Sequence, residues 1–329
     1  MNPSVGIDNA HMMKLLFDIK VGLVCYWVLI GLLLNSPVAQ AQQPHLTYLN
    51  SIAVPAFEVD GVKVSELSDL AWDEDEQILY AVSDKGVLFH FELEMSANQI
   101  HLVTPIRAIT LLNQKGKKLD WRDSEGLEVL NANNGIKGDT ELVIALEGVP
   151  RVGRFTTQGQ LISEYPLPKI LQNHKNYRGR NNSLESVTWH PQWGYITAPE
   201  LPLKKQPVTT HTIYSLKKRW SFPAYPAANS SITALQTLPN GNLLVLERAW
   251  SGVMNPLVIS LRYLDFKRCN KKGQCPIENV SILSSLFLVD NFEGLTAVRD
   301  NLYLMVSDDG QSQFQRTLLT LFRLELPTL

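Results

Sequence analysis

Acidic residues recur at two regular places along the chain, and their type and spacing are suited to metal binding and to catalysis. The first set stands at the start of apolar segments: Glu125, Glu185 and Glu293. The second set follows the next apolar segment along the chain: Asp84, Glu147, Glu200, Glu247, Asp308 and Asp309. Oxygen-rich sites suit Ca²⁺ or Mg²⁺ rather than zinc, so we take the second set as metal ligands, with Ca²⁺ as the expected ion. The first set supplies the catalytic candidates.

Basic residues stand close to these acids in the sequence. The candidates for substrate binding are Lys85, Arg122, Arg151, Arg180, Arg248 and Arg316, and Arg154 and Arg178 are also nearby. Arginine forks match phosphate oxygens, so acids and cations together could hold Ca²⁺ and a phosphate monoester, with an activated water as the nucleophile. Simple pairing of neighbouring charges is an equal alternative for each cation.

The acids stand at the starts and ends of short predicted strands that repeat along the chain. Apolar and polar residues alternate in short runs that are broken by turn residues, which is typical of an all-β protein. Five units are visible, each a strand, a turn and a second strand ending in an acid, with aligned positions at 68, 125, 185, 230 and 293. This periodicity predicts a single β-propeller. A β-sandwich or two small β domains are the alternative, which the regular repetition disfavours.

The expected number of blades is six. The 288 residues from 42 to 329 would give each of six blades about 48 residues, close to a usual blade length. The sixth sheet would combine an amino-terminal strand at His45–Phe57 with the last strands. In a hairpin the start of one strand lies beside the end of its neighbour, so both acidic sets should meet at one mouth of the central channel. Alternatively, the glutamates only accept backbone N–H bonds from neighbouring blades, or they lie in solvated turns.

The amino terminus has the order of a secretory signal peptide. Lys14 and Lys20 precede the apolar run Val21–Leu34, and the small-residue site Ala39-Gln40-Ala41 follows. The run has 14 residues, whereas a membrane span needs about 20. We therefore predict a signal peptide at 1–41, a propeller domain at 42–329, and a periplasmic or secreted protein without a membrane span after processing. Residues 1–12 are a candidate for a misassigned start, and an uncleaved anchor is the alternative reading of the run.

Two cysteines remain after position 41. Cys269 and Cys275 lie in one polar stretch, and in an oxidising compartment a disulfide between them is expected. Two thiols without a nearby histidine make only half of a zinc site.

Composition excludes several classes of protein. An apolar content of 45% and a net charge of −2 exclude a disordered chain and argue against a nucleic-acid binder. The sequence also has no Gly-x-Ser-x-Gly elbow, no phosphate-binding Gly-rich loop and no His-Glu-x-x-His motif. We expect a monomer.

At its repeats the sequence resembles the phytase-like family, described as having esterase-like activity of phytase. The matching segments are 67–73, Asp-Ser-Glu-Gly-Leu at 123–127, Ser-Leu-Glu-Ser-Val at 183–187, Leu-Glu-Arg at 246–248, Asn-Phe-Glu-Gly-Leu at 291–295, Val-Ser-Asp-Asp at 306–309 and 315–319. The resemblance implies an exported β-propeller whose repeated acids carry phosphoester chemistry. Two positions depart from the pattern, since Glu-Ser-Val replaces Glu-Gly-Leu at 185–187 and Ser230 stands where a glutamate is expected.

Two functions stay open at this point. The first is an exported, metal-dependent phosphoester hydrolase with its site at the acidic mouth. The second is a non-catalytic propeller that binds a protein, a glycan or a lipid-derived ligand on its loop face. The missing acids in two units favour the second function, and the near-complete second acidic set favours the first.

Overall fold

The computed structural model describes residues 43–120, 123–179, 181–252, 254–285, 289–310 and 316–326. These residues form one compact unit. Its regular structure is almost entirely β, with two short 3-10 helices at His174–Asn176 and Phe266–Arg268 in the described part of the chain. The predicted signal peptide at 1–41 lies outside the described residues.

The strands form five four-stranded sheets and one small hairpin. The first described strand is β1 (His45–Ala53), and the hairpin is β2 (Glu58–Val59) and β3 (Val62–Lys63). Blade 1 contains β4 (Leu67–Asp73), β5 (Ile78–Ser83), β6 (Val87–Ser96) and β7 (Gln99–Thr110). Blade 2 contains β8 (Ser124–Leu130), β9 (Glu141–Leu146), β10 (Arg151–Thr156) and β11 (Leu161–Tyr165).

The remaining blades repeat this plan. Blade 3 contains β12 (Leu184–His190), β13 (Gly194–Pro199), β14 (Thr210–Tyr214) and β15 (Arg219–Pro223). Blade 4 contains β16 (Ser230–Thr237), β17 (Leu243–Ala249), β18 (Leu257–Leu264) and β19 (Glu278–Ser285). Blade 5 contains β20 (Asn291–Arg299), β21 (Leu302–Asp308) and β22 (Leu318–Glu325), with β1 as its fourth strand.

The first strand of each blade lies innermost, and the inner strands β4, β8, β12, β16 and β20 contact one another in a closed ring. Strand β1 pairs with β22 in an antiparallel register that places Ile52 opposite Leu319. An early strand therefore completes the last blade, which joins the two ends of the propeller domain and covers an edge of the sheet.

The prediction of a single all-β propeller is confirmed, but the described ring has five blades rather than six. The amino-terminal strand does pair with the last strands, as expected. It fills the outer position of blade 5 and makes no further sheet. Long connections, such as residues 166–183 between β11 and β12, raise the number of residues per blade. Dividing the chain length by a usual blade length therefore predicted one blade too many.

Apolar side chains fill the spaces between neighbouring blades. Between blades 1 and 2, Tyr80 and Leu88 pack with Leu127 and Ile144. The second strands carry almost continuous apolar runs, as in β5 and β9, because both faces of each blade are covered by a neighbouring blade.

Polar side chains on the inner strands tie neighbouring blades together. Asp69 on β4 accepts hydrogen bonds from the backbone N–H groups of Leu127 at 2.8 Å and Leu295 at 3.0 Å, so it joins blade 1 to blades 2 and 5. Glu128 on β8 accepts the Trp189 N–H of blade 3 at 3.1 Å. Asp69 and Glu128 thus perform the structural role that the alternative interpretation gave to the glutamates.

Two further features bear on the sequence predictions. The expected disulfide between Cys269 and Cys275 is present, in the loop between β18 and β19. Among the described residues, no helix has the length and apolar character needed to cross a membrane.

Candidate functional site

Each inner strand has a β-bulge close to its start. The bulged residue has no partner on the second strand of its blade, and the equivalent residues of blades 1 to 5 are Ser68, Glu125, Glu185, Thr233 and Glu293. A bulge re-aims the side chain of the extra residue. The three predicted glutamates thus occupy one structural position in three blades. In blade 4 this position belongs to Thr233 and not to Ser230, which the sequence alignment placed there.

Glycine follows the bulge where neighbouring inner strands approach closely. A Cβ atom on Gly126 would lie 2.5 Å from the backbone nitrogen of Val187, and one on Gly294 would lie 2.8 Å from the Cα atom of Asp69. Only glycine fits at such distances. In blade 3, Ser186 takes this place, so the departure from Glu-Gly-Leu leaves Glu185 at its bulge position.

A second ring of charged residues stands at the end of the second strands. In each blade the residue before the bulge pairs with a residue of the second strand, as Leu67 does with Ser83. The residues that follow these partners in blades 1 to 5 are Asp84, Glu147, Glu200, Arg248 and Asp308. Four carboxyl groups and one guanidinium therefore surround the same mouth of the channel, beside the bulged glutamates.

The structure places Glu247, which the sequence predicted as a metal ligand, outside this ring. Its side chain is buried between blades 3 and 4, where it accepts hydrogen bonds from Arg262 at 2.7 Å and Ser230 at 2.9 Å. Oε2 of Glu247, which accepts from Ser230, also lies 3.4 Å from Nε2 of His211. Burial raises the pKa of Glu247, but His211 and Arg262 outweigh this and lower it overall. Because side chains alternate along a strand, the neighbouring Arg248 occupies the mouth instead.

Arg248 connects three blades across the mouth. Its guanidinium donates hydrogen bonds to Glu293, to Oδ1 of Asn291 at 3.1 Å and to Oε1 of Glu200 at 3.2 Å. The other Glu200 oxygen accepts from Asn182. The Arg248 guanidinium therefore offsets part of the negative charge that Glu200 and Glu293 bring to the mouth.

The other predicted cations do not gather at this point. Lys85 pairs with Glu66, Arg151 pairs with Glu164 at 3.3 Å, and Arg154 pairs with Glu141 at 3.2 Å. Arg178 donates to the carbonyl groups of Pro202 and Gln206. Arg316 is exposed before β22, while Arg122 and Arg180 lie outside the described residues.

Three carboxylates of blade 2 converge closely enough to hold one cation. Oxygen atoms of Asp123, Glu125 and Glu147 all lie within 4.8 Å of one another. Glu147 also accepts the Ser183 N–H at 2.6 Å. Asp123 precedes the bulge in the Asp-Ser-Glu-Gly-Leu segment, and sequence reasoning quoted this segment without singling Asp123 out as a ligand.

Burial and mutual repulsion raise the pKa values of the mouth acids. Burial, opposed by the Ser183 N–H and reinforced by Asp123 and Glu200, raises the pKa of Glu147 to about 8. Burial raises the pKa of Glu293 to about 7 despite Arg248, and burial with Asp123 raises that of Asp84 to about 6.

Two glutamates are affected most strongly. Burial, together with nearby carboxylates, raises the pKa of Glu125 and of Glu185 well above the ordinary value. Both residues are 9% exposed. Among the described residues, Oδ1 of Asp84 is buried without a hydrogen-bond partner. Buried acids without donors call for a proton or a bound cation.

A basic cleft of about 510 Å³ lies beside the acidic mouth, since Gly148 directly follows Glu147. Its lining also includes His174, Lys175, Arg178 and Lys204. Sequence reasoning missed Lys175 and Lys204, because neither stands next to an acid in the chain.

The comparison with family models gives a match over residues 62–311 to the phytase-like family, described as esterase-like activity of phytase. This match covers most of the chain. The protein belongs to the phytase-like family. The bulged glutamates of blades 2, 3 and 5 and the four carboxyl groups of the second ring are acids that the repeat positions singled out, and Glu247 is the exception.

Two solved structures match most of this chain at low sequence identity. The PQQ-bound aldose sugar dehydrogenase of Streptomyces coelicolor is 10% identical, with a TM-score of 0.44 over 86% of this chain and 99% of that chain. The Pan2 WD40 domain of Neurospora crassa is 11% identical, with a TM-score of 0.38 over 84% of this chain and 95% of that chain. The comparison with curated proteins gives no match.

Proposed function

We propose that this phytase-like propeller is an exported, Ca²⁺-dependent phosphoester hydrolase that acts at the acidic mouth of its channel. The observation that carries the proposal is the group formed by Asp123, Glu125 and Glu147, whose oxygens lie within 4.8 Å of one another in a largely buried site. The disulfide between Cys269 and Cys275 supports export, because disulfides persist in oxidising compartments.

The residues fit a hard divalent cation. Asp123, Glu125 and Glu147 would hold it, and all their donor atoms are carboxylate oxygens, the ligands that Ca²⁺ prefers. A bound cation would supply positive charge that neutralises these carboxylates and polarises a phosphoester oxygen. Without it, the mouth acids exceed the one guanidinium of Arg248 and would repel a phosphate.

Other residues have separate roles in the proposed reaction. Arg248 lies across the mouth and can orient a phosphate by its planar fork of donors. Burial raises the pKa of Glu185 well above the ordinary value, which favours its protonated form, and a protonated Glu185 can donate to the leaving-group oxygen. The basic cleft beside Glu147 can receive a further anionic group of the substrate.

The proposal is tested by measuring hydrolysis and Ca²⁺ binding of the purified protein together. We expect turnover of at least one of p-nitrophenyl phosphate, bis(p-nitrophenyl) phosphate and inositol hexakisphosphate in Ca²⁺, and none in chelator. The Glu125→Gln variant should lose the rise in melting temperature that Ca²⁺ produces, because one charged ligand is removed. Calorimetric titration with Ca²⁺ should show binding weaker by about tenfold or more, a loss of about 1.4 kcal/mol.

The control is Glu94→Gln, which removes an exposed carboxylate on β6 and should change neither measurement. Stabilisation by Ca²⁺ without any turnover would refute the hydrolase and favour the non-catalytic, ligand-binding propeller. Equal melting temperatures in Ca²⁺ and in chelator would refute the metal site itself.

A further inference from the structure

Two strongly basic segments meet at the end of the ring opposite the acidic mouth. Inner strands start at the mouth, so the third strand of each blade ends at the far side. The turn after β14 carries Lys217, Lys218 and Arg219, and the loop after β18 carries Lys267, Arg268, Lys271 and Lys272. We call these seven residues the basic edge of blades 3 and 4.

Backbone contacts hold the two segments together. The Ser221 N–H donates to the Gly273 carbonyl and the Cys275 N–H donates to the Ser221 carbonyl, both at 2.8 Å. Gly273 has a φ of +77°, and a Cβ atom there would lie 2.5 Å from the Arg219 carbonyl oxygen. The disulfide between Cys269 and Cys275 closes the same loop. The juxtaposition of the two segments is therefore part of the fold.

Most of this positive charge has no acidic partner. Within the described ranges, Arg268 pairs with Glu278, and the other six side chains of the basic edge form no ion pair. Because the whole chain has a net charge of −2, this charge is a local concentration rather than the character of the protein. Clustered, unneutralised cations attract a surface of many negative charges.

The aromatic rings beside the basic edge are already packed against other side chains. The Trp193 ring stacks on His190 with centroids 4.1 Å apart, and Lys218 Nζ lies 5.3 Å from its centroid. Trp220 is only 5% exposed. Single-stranded nucleic acids are held by free aromatic faces on which bases stack, so this arrangement does not favour them.

An apolar side chain stands at the tip of the first basic segment. Leu216 is 44% exposed and directly precedes Lys217. Apolar residues flanked by lysine and arginine suit the boundary between lipid headgroups and acyl chains. A cleft of about 490 Å³ lined by Trp193, Phe266, Lys218 and the three lysines of the second segment offers room for a phosphate headgroup.

We propose that the basic edge docks this protein on an anionic lipid membrane. An anionic surface attracts the basic edge and repels the acidic mouth, so the docked molecule keeps its mouth turned toward solvent. The contact is confined to blades 3 and 4, because the turn of blade 1 at the same end carries Glu74, Asp75 and Glu76.

Vesicle sedimentation of the full chain tests the proposal. We expect the wild type to sediment with vesicles of phosphatidylcholine and phosphatidylglycerol at low salt and to dissociate from them as the salt concentration rises. It should not sediment with vesicles of pure phosphatidylcholine. The Lys271→Gln/Lys272→Gln variant should bind about 25-fold more weakly, because each basic residue near an anionic surface contributes about 1 kcal/mol, or about fivefold. Leu216→Ser should weaken binding without changing its salt dependence.

The matched control is Lys115→Gln/Lys117→Gln, which removes the same charge from an exposed turn after β7. Equal loss in both double variants, or no preference of the wild type for phosphatidylglycerol, would overturn the proposal. Tight binding to a DNA oligonucleotide without binding to vesicles would overturn it in favour of a nucleic-acid surface. None of these measurements involves Ca²⁺ or turnover, so their outcome is independent of the proposed hydrolase.

Discussion

Asp69 and Glu125 show how two acids on neighbouring inner strands serve different purposes. Asp69 is fully buried and uses its two oxygens to accept three backbone N–H groups, including those of Leu127 and Leu295. Glu125, at a bulge, faces other carboxylates instead of N–H groups. The first is satisfied by the fold, whereas the second is satisfied only by a proton or a cation.

This contrast predicts that variants of the two acids differ in how their stability depends on Ca²⁺. Asp69→Asn keeps the size of the side chain but turns an amide N–H group toward a backbone donor. We expect a loss of unfolding free energy of about 1–3 kcal/mol, the usual cost of an unsatisfied buried group. Denaturant unfolding should show the same loss in Ca²⁺ and in chelator, whereas the Glu125→Gln effect should depend on Ca²⁺. An Asp69→Asn loss that appeared only in Ca²⁺ would assign Asp69 to the metal site.

The inner strands act as the elements that set the width of the mouth. Gly126 on β8 touches the backbone of β12, and Gly294 on β20 touches the backbone of β4. These contacts bring the bulged residues of neighbouring blades close to one another around the channel.

Adding one methyl group at this contact should therefore damage both stability and the site. In Gly126→Ala the new Cβ would lie 2.5 Å from Val187 N and 2.7 Å from Ser186 Cα, so β8 and β12 must separate. We expect a loss of about 2–4 kcal/mol by thermal or chemical unfolding, in the range of overpacked cores. Ser186→Ala is the control, because that position already carries a Cβ and its hydroxyl has no hydrogen-bond partner among the described residues. A Gly126→Ala protein as stable as the wild type would show that the strands can separate freely.

The molecule as a whole separates its charges between two ends. The mouth collects carboxyl groups with raised pKa values, and the far end of blades 3 and 4 carries the basic edge. For the proposed hydrolase, a phosphoester would meet repulsion at the mouth until a cation is bound, so we expect metal to bind before substrate.

The raised pKa values predict how stability depends on pH. The pKa of Glu147 is about 8 and that of Glu293 about 7 in the folded protein, above the ordinary value of a glutamate. Between these values and the lower unfolded value the folded state binds more protons, so its stability falls as pH rises. We expect the melting temperature in chelator to decrease from pH 5 to pH 8. Saturating Ca²⁺, which favours the ionised acids, should flatten or reverse this trend. A melting temperature in chelator that rises over this range would contradict the assignment.

Local patterns in the chain were sufficient for the architecture and for most of the acids. Alternating residues and repeated turns predict strands and blades because both depend on neighbours in sequence. The disulfide was predictable for the same reason, since Cys269 and Cys275 lie in one short loop. The three bulged glutamates and four carboxyl groups of the second ring were found by their repeat positions.

Other features depend on contacts between distant segments, which no local pattern contains. The blade number follows from the pairing of β1 with β22. The exchange of Glu247 for Arg248 at the mouth follows from the bulge at Thr233, because a shift of one residue turns each side chain to the opposite face. The basic edge exists because Gly273 allows the loop after β18 to lie against β15, which joins lysines about fifty residues apart in the sequence.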